Sequence, residues 1–197
     1  MKIVGVGCGP GLLTLQAVRE ISSARLVYGS RRAIELAREY FRPDAEVREI
    51  EDYGSLKNLP ADAVVLSTGD PMLAGLGYLP GEVVPGISSL QLALARLRIP
   101  MQDTTVVVAH GRDHAAALRE IRDGLSRGKT VFVVADPGFD IRACAESLVD
   151  FPGEVVLTVC ENLGYPGERI EAGTPREPPM PRTGLFSLVL RVANRGK

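Results

Sequence analysis

Cysteine, histidine and lysine are all scarce in this chain of 197 residues, and each shortage closes off a class of function. The three cysteines, Cys8, Cys144 and Cys160, are odd in number and far apart, with no CxxC pair and no Cys/His cluster. That pattern argues against a disulfide framework and against a zinc site, so no metal is expected and a reducing, cytoplasmic setting fits best. The two histidines, His110 and His114, join no Ser/His/Asp or Cys/His arrangement at local spacing. Only four of the 23 basic residues are lysine and the net charge is −1. With neither a lysine-rich stripe nor a basic surplus, no nucleic acid and no anionic membrane is expected as a partner. No apolar run approaches the ~20 residues of a membrane span. The opening Met1-Lys2-Ile3-Val4-Gly5 lacks the charged region, apolar core and cleavage site of an export signal.

What remains is an ordinary globular balance, 45% apolar and 24% charged, which is enough to bury a core. Glycine and proline together make 35 residues (21 plus 14), above the usual share and below that of low-complexity chains, so many tight turns are expected. The other 19 basic residues are arginine, the side chain suited to bidentate capture of carboxylates and phosphates. A GC-rich genome or a hot habitat would give the same bias.

Short apolar runs at 2–6, 26–28, 47–50, 63–67 and 82–84 read as strands, and 63–67 is continuous enough to be buried on both faces of a parallel sheet. Helical spacing marks 14–22 and 31–40, then a helix capped by Ser88 or Ser89 and stopped by Pro100. Beyond Pro100 the rhythm resumes, with strands at 104–109, 130–135 and 155–160 and helices around 117–125 and 141–149. Antiparallel strands follow at 167–171 and 185–192, separated by a proline-rich link. The expectation is two α/β domains, 1–101 with a mostly parallel sheet and 102–197 with a mixed one.

Four strand ends carry unusual residues: Gly5-Val6-Gly7-Cys8-Gly9-Pro10-Gly11, Gly69-Asp70-Pro71, Pro85-Gly86-Ile87-Ser88-Ser89 and His110-Gly111-Arg112. Ligands of open α/β sheets bind outside the carboxyl ends of the strands, where all four loops lie. The first loop is not a dinucleotide fingerprint, because Pro10 or Leu12 stands where the third glycine is needed and no acidic residue closes the second strand. No Gly-Lys-Ser/Thr occurs, which excludes a P-loop. Asp70 reads either as an Asx turn or as a fixed acceptor for an amino group or ribose hydroxyl. Cys8 reads as a small loop residue. His110, two residues before Arg112, could bind an anionic substrate edge.

Taken in order, these loops resemble a known family. Val4-Gly5-Val6-Gly7-Cys8-Gly9-Pro10-Gly11-Leu12-Leu13-Thr14 is similar to the opening motif of the tetrapyrrole methylases, the S-adenosylmethionine-dependent corrin and porphyrin methyltransferases. Thr68-Gly69-Asp70-Pro71 and Val84-Pro85-Gly86-Ile87-Ser88-Ser89 resemble its second and third motifs. Leu26-Val27-Tyr28-Gly29-Ser30-Arg31-Arg32, His110-Gly111-Arg112 and Glu161-Asn162-Leu163-Gly164 resemble the branch that methylates C5 of precorrin-7 (precorrin-6Y in older naming) in cobalamin biosynthesis. Cys8 stands where the family usually has proline, in a first loop about one residue shorter.

The resemblance implies a cleft between two domains that holds S-adenosylmethionine, and a homodimer. It implies cofactor contacts at Cys8, Gly69, Asp70, Leu73, Ser88, Ser89, Ala135, Asp136 and Leu163. Substrate contacts would fall on Arg31, Arg32, His110 and Arg112, suited to an acceptor fringed with carboxylates, and His110 is the candidate base. The decarboxylating C15-methyltransferase domain fused to some such enzymes has no room in 197 residues, so a separate protein is expected to supply it. Related methylases of the same fold act instead on ribosomal RNA, on the diphthamide precursor or at another tetrapyrrole position, and the near-neutral charge counts against RNA. A non-enzymatic cofactor sensor is the remaining alternative.

Overall fold

The structure, a computed structural model, describes residues 1–109 and 113–193. The chain divides into two compact units, Met1–Ser89 and Leu90–Lys197. In the first, β1 (Lys2–Gly5), β2 (Leu26–Gly29), β3 (Glu46–Glu49), β4 (Val64–Ser67) and β5 (Glu82–Val84) form one sheet in the order β3-β2-β4-β1-β5. Every pairing is parallel, with Ile3 opposite both Val65 and Val83. All residues of β4 are buried, as a strand covered on both faces requires.

Helix α1 (Leu15–Ser23) starts where the Thr14 hydroxyl accepts from the Ala17 N–H at 3.1 Å. Helix α2 (Arg31–Ala37) starts where the Ser30 hydroxyl accepts from Ala33, and it tightens into a 3₁₀ turn over Arg38–Tyr40. A second 3₁₀ turn, Tyr53–Asn58, is capped by Asp52 and drives Leu56 into a cluster with Ile3, Val65 and Leu79. Hydrophobic periodicity gives no sign of this short element.

In the second unit, β6 (Thr104–Val108), β7 (Thr130–Val134), β8 (Val155–Glu161), β9 (Arg169–Gly173) and β10 (Phe186–Val192) form a mixed sheet in the order β6-β7-β10-β8-β9. Strands β6 and β7 are parallel, while β10 and β9 each run antiparallel to β8, which lies between them. Helices α4 (His114–Ser126) and α5 (Ile141–Glu146) bury Ile121, Leu125 and Ile141 against Val133, Leu157 and Leu188. Helix α5 stops at Glu146, and the Leu148 N–H turns back to the Ala145 carbonyl, so the apolar spacing that continues to Val149 belongs to a turn.

Helix α3 (Ser89–Leu97) falls with the second unit from Leu90 onward, whereas the sequence puts the break after it, near Pro100. One reason is visible at its end, where Arg96 pairs with Glu168 of the second unit. Among the described residues, no helix is long and apolar enough to cross a membrane.

Candidate active site

Three neighbouring strands of the first sheet, β4, β1 and β5, point their carboxyl ends the same way, and each runs into one of the glycine-rich loops. The connection leaving β1 travels to β2 on one side, and that leaving β4 travels to β5 on the other. Each connection passes across the other's strand, and the loops leaving both strands stand at the carboxyl edge of the sheet, where open α/β sheets bind ligands.

Backbone hydrogen bonds stitch these loops together. The Val6 N–H donates to the Ser67 carbonyl at 2.9 Å, and Gly7 and Gly69 exchange bonds at 3.2 and 2.8 Å. The Cys8 N–H donates to the Ile87 carbonyl at 2.9 Å, tying the first loop to the third. Asp70 joins the second loop to the third: Oδ1 accepts from the Met72 N–H at 2.8 Å, closing an Asx turn, and Oδ2 accepts from the Gly86 N–H at 3.0 Å. The Leu73 N–H returns to the Asp70 carbonyl at 3.1 Å.

The glycines follow from this crowding. A Cβ on Gly86 would lie 2.2 Å from the Gly69 carbonyl oxygen, and one on Gly5 would lie 2.6 Å from the Gly86 nitrogen. Gly69, at φ +69°, has only the Ser88 Cα within 4 Å of its Cβ position. The rim is tight below and open above.

The expected site residues fall into two groups. Cys8, Gly69, Asp70, Leu73, Ser88 and Ser89 all sit on these three loops, with Cys8 and Ser88 buried and Leu73 and Ser89 half-buried. Ala135, Asp136 and Leu163 sit in the second unit, just beyond the carboxyl ends of β7 and β8, which run in the same direction. Asp136 accepts from the Gly138 N–H at 2.8 Å through Oδ1, and its Oδ2 lies 3.3 Å from His114 Nε2. Leu163 is buried. Arg31 is exposed at the start of α2, whereas Arg32 is half-buried and its Nη2 donates to the Cys8 carbonyl at 2.8 Å. His110 and Arg112 lie outside the described residues.

Sequence reasoning missed the backbone partners, Gly86 N–H and Ile87 C=O, because a main-chain contact has no side-chain signature. It also missed the purpose of Glu161. This carboxylate is buried at the end of β8 and accepts from the backbone N–H groups of Arg182 and Thr183 while pairing with Arg169. Burial pushes its carboxyl up, but the Thr183 N–H, the Arg169 guanidinium and the Arg182 N–H outweigh that and hold it below the usual carboxylate range. Asn162 follows at φ +48°, and Glu168 closes the loop by accepting from the Gly164 N–H at 2.8 Å. The Arg96 guanidinium holds the Glu168 carboxyl low as well. Burial lifts the thiols of Cys144 and Cys160 to about 12, with Asp140 and Glu168 adding to the effect, so neither is a nucleophile at neutral pH. Among the described residues no group of three or more His, Cys, Asp or Glu could hold a metal ion.

The family model of the tetrapyrrole (corrin/porphyrin) methylases matches residues 2–179. The chain is 33% identical over 186 residues to the precorrin-6Y C(5,15)-methyltransferase (decarboxylating) of a Sinorhizobium species, covering 86% of this chain but 44% of that protein. It is 29% identical over 198 residues to the probable cobalt-precorrin-7 C(5)-methyltransferase of Methanocaldococcus jannaschii, covering 87% of this chain and 89% of the relative. The crystal structure of a cobalamin-biosynthesis precorrin-6Y methylase from Archaeoglobus fulgidus superposes with a TM-score of 0.74 at 29% identity, over 98% of this chain and 97% of that one.

Proposed function

Because the chain belongs to the tetrapyrrole (corrin/porphyrin) methylases, we propose that it transfers a methyl group from S-adenosylmethionine to C5 of a corrin precursor of the precorrin-7 class, within cobalamin biosynthesis. The names of the Sinorhizobium and Methanocaldococcus relatives both specify C5. The chain spans under half of the first of these relatives, and the proposal concerns the C5 step alone. A homodimer in a reducing cytoplasm completes the reading, and three buried cysteines outside any disulfide are in keeping with that compartment.

The observation that carries the proposal is the stitched rim over β4, β1 and β5. Its chemistry suits the donor: open faces at Gly11 and Gly69, the Ser88 and Ser89 hydroxyls, and main-chain groups for an adenosine and an amino acid moiety. When bound, S-adenosylmethionine supplies an electrophilic sulfonium methyl, whose carbon joins the acceptor carbon while the S–CH₃ electron pair stays on a neutral sulfur. Within this reading the chain mainly binds and orients. Cys8, Gly69, Asp70, Leu73, Ser88 and Ser89 of the first unit hold the donor. Arg31 and Arg112 meet acceptor carboxylates, and His110 takes the ring proton. Orientation alone can supply several kcal/mol of such a barrier.

The direct test incubates the protein with labelled S-adenosylmethionine and a precorrin mixture and locates the new methyl by NMR. The expected result is label at C5. Label in ribosomal RNA or a translation factor, with none in a tetrapyrrole, overturns the proposal. Asp70→Ala removes the tie between the second and third loops and is expected to weaken S-adenosylhomocysteine binding at least ~10-fold. Unchanged affinity would take Asp70 out of the site.

A further inference from the structure

The family resemblance sets Arg32 beside Arg31 as an arginine for acceptor carboxylates, and in the fold its guanidinium donates to a main-chain carbonyl. The first loop carries four glycines in seven residues, Gly5 to Gly11, and such a chain is floppy unless it is tied down. As far as Cys8 it is tied by the exchange with Gly69 and by the bond to Ile87. Beyond Cys8, where Pro10 and Gly11 are exposed, the Leu12 N–H returns to the Gly9 carbonyl at 3.3 Å, a bond inside the loop itself. At its far end Thr14 caps α1 and donates to the Pro85 carbonyl at 3.3 Å, and at Cys8 the tie to a regular element comes from Arg32, whose guanidinium reaches the Cys8 carbonyl from the first turn of α2. That origin is rigid: Ser30 caps the helix, and Gly29 lets β2 turn into it with Ile34 and Leu66 packed 3.1 to 3.3 Å from the position of a Cβ.

We propose that Arg32 is a positioning residue for the donor: acting through the Cys8 carbonyl, it holds the first glycine loop in its binding shape before any ligand arrives. The proposal rests on the methyltransferase reading above. The Cys8 peptide is gripped on both sides, its N–H by the third loop and its C=O by α2. A charged donor on a neutral carbonyl is stronger than an ordinary backbone bond, and a loop ordered in advance loses less entropy when it closes on a ligand. Arg32 therefore governs donor affinity, and the acceptor's carboxylates are left to other arginines.

The test titrates S-adenosylhomocysteine into the full chain and its Arg32→Met and Arg32→Lys variants by calorimetry. In parallel, hydrogen exchange of residues 8–12 is followed without ligand, and the KM for the tetrapyrrole is measured at saturating donor. Arg32→Met is expected to bind about tenfold more weakly and to exchange faster over 8–12, with the acceptor KM unchanged. Arg32→Lys, which keeps a charged donor, is expected to recover part of the affinity and serves as the working variant if the Met form does not fold. Wild-type donor affinity in Arg32→Met together with a raised acceptor KM would overturn the proposal and make Arg32 an acceptor anchor. Wild-type protein that binds no S-adenosylhomocysteine would instead overturn the methyltransferase reading itself.

Discussion

The two units use similar α/β rhythms and build the ends of their strands by opposite means. In the first, the loops beyond β1, β4 and β5 are joined main chain to main chain, with Thr14, Asp70 and Arg32 among the side-chain ties, and their closeness depends on the absence of Cβ atoms. In the second, the turn after β8 is organised by charge: Glu161 gathers two backbone amides and Arg169, and Glu168 gathers Arg96 and the Gly164 amide. Glycine crowding tolerates no added atom. A buried carboxylate tolerates an atom of the same shape but not the loss of its charge. Each construction therefore fails in its own way.

The sharpest way to break the comparison is to add a methyl group. Gly86→Ala forces a carbon to within 2.2 Å of the Gly69 carbonyl, a backbone atom that cannot swing away. We expect a loss of about 3 kcal/mol in urea unfolding together with loss of donor binding. A near-neutral effect would mean that the loops are not packed as described.

The second unit is tested by removing charge while keeping shape. Glu161→Gln should cost about 2 kcal/mol at neutral pH, since Glu161 is 1% exposed and its bonds are charge-assisted. The folded carboxyl is held below its ordinary 4.5, so its contribution is fully present above that value and drains away as pH falls through the lower, folded one. The gap between wild type and Glu161→Gln should therefore close under acid. A gap that is constant with pH would count against an ionised Glu161.

The smallest effect concerns the thiols. Iodoacetamide at pH 7.5 should leave Cys144 and Cys160 unmodified in the native protein, as thiols lifted to about 12 in buried sites must be. Cys8 lies in the loop rather than in the second unit's core, and it should be alkylated first when the protein opens locally. Peptide mass spectrometry reads that order.

These contrasts also explain what the sequence disclosed. Strand β5 was legible to the residue, because Glu82-Val83-Val84 is bounded by Gly81 and Pro85. The parallel character of the first sheet followed from the unbroken apolar run of β4. The 3₁₀ turn at Tyr53–Asn58 stayed hidden because six residues carry no period. Asp70 was legible as an Asx turn, yet its second partner, the Gly86 amide sixteen residues on, depends on strand order, which local patterns do not encode. Arg32 was read through the family resemblance, as a charge for acceptor carboxylates, and the carbonyl it grips could not be seen without the fold. Glu161 was noticed within a motif, but its burial depends on Arg169, Arg182 and Thr183, all brought in by later strands.

The reciprocal Gly7–Gly69 pair has one more consequence. A grip made from peptide groups is indifferent to which side chains surround it, provided a few positions stay bare. Such a rim can keep its shape while the side chains around it are replaced. The shape of the rim is carried by missing atoms as much as by present ones.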